Sequence, residues 1–339
     1  MKVAVVGAGA IGSTYAWKLA AAGHDVTLVD VWREHVETVA RDGLVVELPD
    51  GSSSTVAVAA VTDAAAVGSA RFVLVATKSY ATDDAARSAA LCADDATWIG
   101  TVQNGLGNDT RLAAVLGADR VLPGATTVGA EMAGPGRVRP NRGVVAGQSL
   151  TSFGRPRTAA AMPESVRALC AELTATGLPA EALDDVDYVI WRKLCLAGSM
   201  GALGAVLRST VGDVVEDADA RGLLTRMIDE IVAVGQASGV ALDRDEIHEH
   251  AAHTFATVGK HPPSMAVDVA LGRRTEIDAF CLEIARLGRE RGVATPANEV
   301  VGQLVKALEP ARGVRGSNTM STGRPAVLGG GLRRPRSRP

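Results

Sequence analysis

The sequence predicts a two-domain protein, an α/β domain built on a parallel sheet followed by an all-α domain. Three observations carry this. Short apolar runs alternate with helical periods through the first hundred or so residues. A glycine-rich turn joins the first apolar run to the first helix. From about residue 185 onward almost every segment has helical periodicity. A chain of 339 residues has the length of two ordinary domains. Its 47% hydrophobic and 22% charged residues supply two packed cores and exclude a disordered chain.

Residues 2–6 are a strand that runs directly into Gly7-Ala8-Gly9-Ala10-Ile11-Gly12. The helix that follows extends to about Ala22, where Gly23 supplies its C-cap. A second strand, Val26 to Val29, ends at Asp30 and completes a βαβ unit. Arg33 to Arg41 reads as helix, and Leu44 to Leu48 and Thr55 to Ala60 as strands around a Pro49-Asp50-Gly51 turn. Phe72 to Ala76 is a buried strand, the stretch after Lys78 is helical, and Thr97 to Val102 is a further strand. Strands spaced by helices in this way imply a parallel sheet covered on both faces. Between about 120 and 156, Gly, Pro and Val alternate without helical period, which predicts β-hairpins. The chain turns helical after Pro163, and helices are expected at 186–206, 219–238, 243–258, 264–271, 276–291 and 297–308. Small and acidic residues place the boundary near 179–185, so the expected domains are 1–184 and 185–312. The remainder, 313–339, holds six arginines and no acid and reads as a disordered basic tail.

Charge and composition exclude several functions. Taking the tail's six positive charges from the net −3 leaves −9 on the body, which argues against nucleic acid as a partner of the folded part. Aromatics at 3% offer few platforms for bases. Cys92, Cys170, Cys195 and Cys281 show no C-x-x-C spacing, which speaks against zinc or a disulfide framework and for a reducing compartment. No apolar run approaches the ~18 residues of a membrane span, and the N-terminus lacks a signal-peptide layout. A cytoplasmic protein without a membrane partner is expected.

Gly-x-Gly-x-x-Gly between a strand and a helix, trailed by an acid at the next strand tip, predicts a Rossmann dinucleotide site. Gly7 would permit the tight turn, Gly9 the approach of a pyrophosphate, and Gly12 close helix–strand packing; Ala8, Ala10 and Ile11 complete the loop. A carboxylate at Asp30 can accept both ribose hydroxyls of NAD(H) and repels a 2′-phosphate, so NAD(H) is favoured. NADP(H) is the second candidate, with Arg33 as the nearby cation. Lys78 and Asn104 stand at two strand tips, where ligands of open α/β sheets bind. Further on, Val186, Val189, Ile190, Ala197 and Met200 form one stripe at helical spacing, and Lys193 falls in its middle. A partly desolvated lysine there suits a general acid for a ketone oxygen receiving hydride.

These pieces, with Thr77-Lys78, Gln103-Asn104-Gly105, Trp191-Arg192-Lys193-Leu194 and Thr275-Glu276-Ile277-Asp278, follow an order and spacing that resemble the ketopantoate reductase family over about residues 1–309. The resemblance implies reduction of a 2-keto acid by a nicotinamide cofactor, with substrate between a Rossmann domain and a 6-phosphogluconate dehydrogenase-like helical domain. It implies that Lys193 is the proton donor and that Lys78 and Asn104 line nicotinamide and substrate. It further implies that Ser264 contacts substrate and that Glu276 is an acid near both ligands. On local grounds alone Thr275 would be a helix N-cap answered by Asp278, and Glu276 a helix-dipole charge.

Where the family commonly has two asparagines after the lysine, this chain has Ala197 and Gly201. That removes partners for a substrate hydroxyl and fits a larger or more apolar 2-keto acid. Asp30-x-Trp32 resembles the NAD-using D-2-hydroxyacid dehydrogenases of the same family. Imine or opine-type reduction and a non-catalytic dinucleotide sensor are the rival readings. His248, His250 and His253 do not converge on one helix face, so a solvated face and no metal are expected. The stripe Leu223, Leu224, Met227, Ile231 and Val234 is core or dimer surface, which leaves a homodimer open.

Overall fold

The computed structural model describes residues 1–310; the tail expected at 313–339 lies outside the described residues. The chain opens β1 (Lys2–Val6), α1 (Ala10–Ala21), β2 (Asp25–Val29) and α2 (Arg33–Asp42). Three short strands follow, β3 (Leu44–Glu47), β4 (Ser53–Val56) and β5 (Ala59–Val61). Then come β6 (Phe72–Val75), α3 (Thr82–Leu91), β7 (Trp98–Thr101), α4 (Asn108–Leu116) and β8 (Val121–Leu122). β5, β2, β1, β6, β7 and β8, in that order, form a six-stranded sheet whose paired strands are all parallel. The chain works outward from β1 to β5 and then crosses to β6, so a switch point opens beyond the carboxyl ends of β1 and β6.

Alternating side chains bury both faces of this sheet. Val3, Val5, Phe72 and Leu74 pack with Tyr15 and Leu19 of α1. Ala4, Val73 and Val75 pack with Ala85, Ala86 and Ala89 of α3 and Leu112 of α4. All these residues are essentially inaccessible to water, which is what fixes the sheet in register and aims its strand tips at one crevice.

The expected strand from Thr55 to Ala60 is split. β4 pairs antiparallel with β3, while β5 leaves it and lies parallel beside β2. β3 and β4 therefore belong to a second sheet, completed by β11 (Arg137–Pro140) and β10 (Ala130–Gly134). Of the hairpins expected between 120 and 156 only β10–β11 forms. β9 (Gly124–Thr126) instead pairs with the distant β12 (Thr151–Gly154), which also pairs with β13 (Ala180–Leu183). Between them lie the short α5 (Arg142–Val145) and α6 (Glu164–Ala175). The sequence pattern passed over α4, β13 and the six-residue α8 (Val211–Glu216). α4 starts inside a glycine turn, and α8 rests on a Thr210–Asp213 capping box too short to show a period.

The helical part comprises α7 (Asp187–Leu207), α8, α9 (Ala218–Ala237), α10 (Arg244–Val258), α11 (Ser264–Ala270), α12 (Cys281–Arg291) and α13 (Pro296–Leu308). α7 is long and apolar enough by composition to cross a membrane, contrary to the expectation above, but it packs against α9, α11 and α13 as the central helix of this domain. Leu224, Met227, Ile231 and Val234 of α9 are buried in that same core, which assigns their stripe to packing within the chain. The helix expected over 276–291 is broken: Ile277–Ala279 form a single 3₁₀ turn, Phe280 is non-helical at φ −110°, and α12 starts after it.

Candidate active site

The β1–α1 turn has the shape its glycines allow. Gly7 has φ +103°, and a Cβ there would lie 2.6 Å from the Thr77 amide nitrogen at the tip of β6. A Cβ on Gly12 would come within 1.9 Å of the Gly7 carbonyl oxygen, whereas one on Gly9 would meet nothing within 4 Å. Open space thus faces the start of α1, whose N-cap Gly9 offers no side chain to the first-turn amides. Those N–H groups, free among the described residues, and the positive end of the helix are suited to an anion such as a phosphate. At the tip of β2, Asp30 accepts the Ala8 N–H at 2.6 Å and the Trp32 N–H at 2.8 Å, so its carboxylate is fixed beside this helix start. Trp32 stacks on the buried His35 with ring centroids 5.0 Å apart. Arg33 pairs instead with Glu37 on the surface.

Gln103 ties the tips of β6 and β7 together. Its Nε2 donates to Thr77 Oγ1 at 2.9 Å and to Thr82 Oγ1 at 3.0 Å, and its Oε1 accepts from Thr101 Oγ1 at 3.1 Å. The next residue, Asn104, has its carbonyl held by Asn108 Nδ2 at 2.9 Å, while its own amide makes no hydrogen bond among the described residues. Gly105, at φ +86°, permits the loop to lie against the 277–279 turn, since a Cβ would fall 2.5 Å from the Ala279 carbonyl oxygen. The Leu106 N–H donates to that same oxygen at 3.1 Å. The loop carrying Asn104 is thereby docked on the helical domain.

Ile190, Lys193 and Ala197 of α7 face this loop and line a small cavity with Asn104, Ala125 and Phe280. The stripe containing Lys193 therefore divides: Ile190, Lys193 and Ala197 form a cleft wall, with Ala197 exposed, while Val186 and Met200 at its ends are buried, as are Leu194, Cys195, Ala202 and Leu203 of α7. Half-buried Lys193 makes no hydrogen bond or ion pair among the described residues. Burial lowers its pKa to about 8, with the nearby Glu276 carboxylate partly opposing the fall.

Glu276 is buried between the domains. Its Oε1 accepts the Ser79 N–H at 2.9 Å, and its Oε2 lies 3.3 Å from Lys78 Nζ. Lys78 also donates to Asp268 Oδ2 at 2.8 Å, and Arg273 pairs with the other Asp268 oxygen at 2.9 Å. Burial pulls the Lys78 ammonium down, but the two carboxylates outweigh it and leave its pKa raised. Glu276 is therefore no solvated helix-dipole charge, and no capping box forms at Thr275. The Thr275 hydroxyl donates to Glu309 at 2.7 Å, and Asp278 pairs with Lys306 and Arg274.

Ser264 opens α11 and is exposed, without a hydrogen bond among the described residues. Its neighbour Met265 lies 3.6 Å from where a Gly201 Cβ would stand, so this end of α11 packs on α7 two turns beyond Lys193, and Ser264 does not line the small cavity that Lys193 and Asn104 share. The sequence reading missed Asp268, although an acid inside the apolar run Met265-Ala266-Val267-Asp268-Val269-Ala270 was a visible signal. His248, which lines neither cavity, is not simply solvated but reaches Asp229 at 2.7 Å. Among the described residues no His, Cys, Asp and Glu cluster could hold a metal.

Residues 3–157 match the model of the family described as ketopantoate reductase PanE/ApbA, and residues 185–309 match the model of its C-terminal part. The 2-dehydropantoate 2-reductase of Halobacterium salinarum is 33% identical over 90% of this chain and 98% of that protein. A PanE/ApbA family ketopantoate reductase from Ralstonia eutropha is 32% identical with a TM-score of 0.81, over 91% of this chain and 98% of that one. A structure of D-mandelate dehydrogenase with NADH and anilino(oxo)acetate, 26% identical, superposes at a TM-score of 0.85 over 91% of this chain and 98% of its own. With an open, uncapped helix start on one side of the cleft and, among the described residues, an unpaired lysine on the other, the chain belongs to the ketopantoate reductase family.

Proposed function

We propose that this protein reduces a bulky, largely apolar 2-keto acid to the 2-hydroxy acid with NADH. The observation that carries the reading is the half-buried Lys193 ammonium, unpaired among the described residues and beside the likewise uncommitted Asn104 amide in one cavity. The bound nicotinamide supplies hydride. Lys193 gives its proton to the keto oxygen, and its lowered pKa makes that transfer easier while leaving it charged at neutral pH. The Asn104 amide and the Ser264 hydroxyl, both without a hydrogen bond among the described residues, have donors with which to orient the substrate. Glu276 holds Lys78 and the Ser79 amide in place and keeps negative charge near Lys193.

Gly7 to Gly12 support the pyrophosphate, and the Asp30 carboxylate favours NAD(H) over NADP(H) because a 2′-phosphate would meet a fixed negative charge. The D-mandelate dehydrogenase neighbour, which holds NADH, points the same way. Ala197, which lines the cavity beside Lys193, and Gly201, two turns along α7, bring no amides to this wall, which favours an aryl or branched side chain on the keto acid over a hydroxylated one. In this reading residues 1–184 bind the cofactor and 185–312 form the substrate side. Four free, buried thiols suit a reducing cytoplasm.

NADH oxidation with a panel of 2-keto acids, measured for the native chain and for Lys193→Ala, tests the reading. Turnover of the larger acids, depressed about 100-fold or more in the variant, is expected. Measurable NADH binding with no keto acid turned over would replace the enzyme by a nucleotide sensor.

A further inference from the structure

Glu276 stands on backbone that no helix holds. It lies between α11 and the 277–279 turn, at φ −96° and ψ 18°, and the helix resumes only after Phe280. What secures this stretch is a residue at the far end of α13. Glu309 Oε1 accepts both the Thr275 N–H at 2.8 Å and the Thr275 hydroxyl at 2.7 Å. Thr275 is fully buried, and the Glu309 carboxylate, only 8% exposed, is steadied by Lys306 at 3.0 Å on its other oxygen. The Thr275 hydroxyl in turn accepts the Ile277 N–H at 3.3 Å, so one carboxylate orders the residues on both sides of Glu276.

We propose that Glu309 is a positioning residue for the reaction, acting through Thr275 to aim the Glu276 carboxylate at Ser79 and Lys78. Buried bonds to a carboxylate are among the stronger ones in a protein. Without this one, the Thr275 N–H and hydroxyl lose their acceptor, and the remaining polar contacts of the turn, Leu106 N–H on the Ala279 carbonyl and Lys306 and Arg274 on Asp278, all lie on the far side of Glu276. The inference rests on the functional reading of Glu276 given above.

The test compares Glu309→Ala, Glu309→Gln, Glu276→Ala and the Glu276→Ala/Glu309→Ala pair in the full chain, measuring kcat, KM and NADH affinity. Misplacing a group in the site by an ångström costs up to about 100-fold in rate, so Glu309→Ala should lower kcat about 10- to 100-fold with NADH affinity within about threefold. Glu309→Gln keeps a carbonyl acceptor and should lose less, and it carries the test if the alanine variant fails to fold. The pair should be no slower than Glu276→Ala alone, because residues acting through one group are not additive. An unchanged kcat in both Glu309 variants, or losses that multiply in the pair, overturns the inference. An unchanged kcat in Glu276→Ala would show that the reading of Glu276 itself fails, and the inference with it.

Discussion

The pH dependence of the reaction follows from the position of Lys193. An ordinary lysine has a pKa of 10.5, and burial in the cleft brings this one to about 8. With Lys193 as the proposed proton donor, reduction of a keto acid needs the ammonium, so its kcat/KM should be level at neutral pH and fall tenfold per pH unit above about 8, reaching roughly a tenth at pH 9. Oxidation of the hydroxy acid needs the neutral amine and should rise through the same point. Among the described residues Glu276 is the one charge that holds the Lys193 pKa up against burial. In Glu276→Gln the alkaline limb of reduction should therefore move to lower pH, by an amount the same titration measures. The assay is NADH absorbance followed in both directions at saturating cofactor, with rates taken across the stability range of the enzyme. A limb near pH 10, an unmoved limb in Glu276→Gln, or the same sign of dependence in both directions would refute Lys193 as the proton donor.

Two further outcomes are expected at the ends of the cleft. Asp30→Asn removes the negative charge that a 2′-phosphate would face and should raise the NADPH-to-NADH ratio of catalytic efficiencies about tenfold, read from initial rates with each cofactor. An unchanged ratio would mean that Asp30 does not select the cofactor. Ala197→Asn places an amide one turn from Lys193 on the same cleft wall. It should shift preference from large apolar keto acids toward small hydroxylated ones by about tenfold in relative kcat/KM, the size of effect a single pocket contact supplies. Equal losses for both classes of substrate would show that position 197 does not set specificity.

The sequence by itself determined the parts that local rules encode. The βαβ start, the three glycines and Asp30 follow from sterics and hydrogen bonding within about thirty residues, and the apolar runs of β1, β2, β6 and β7 follow from burial on both faces. The family's motifs likewise assign Lys78, Asn104, Lys193 and Glu276 to one site from sequence alone. Tertiary structure alone decided what those residues face. Helical spacing marks Ile190, Lys193 and Ala197 as one stripe, but only the docking of the Gln103–Gly107 loop on Ala279 turns that stripe into a cleft wall. The Lys78–Glu276 and Glu309–Thr275 contacts join residues 198 and 34 positions apart. No periodicity predicts such pairings, because a side chain's partner is set by the path of the backbone around the whole core. The break at Phe280, which frees Glu276 from a helix and makes it dependent on Glu309, belongs to that same long-range packing.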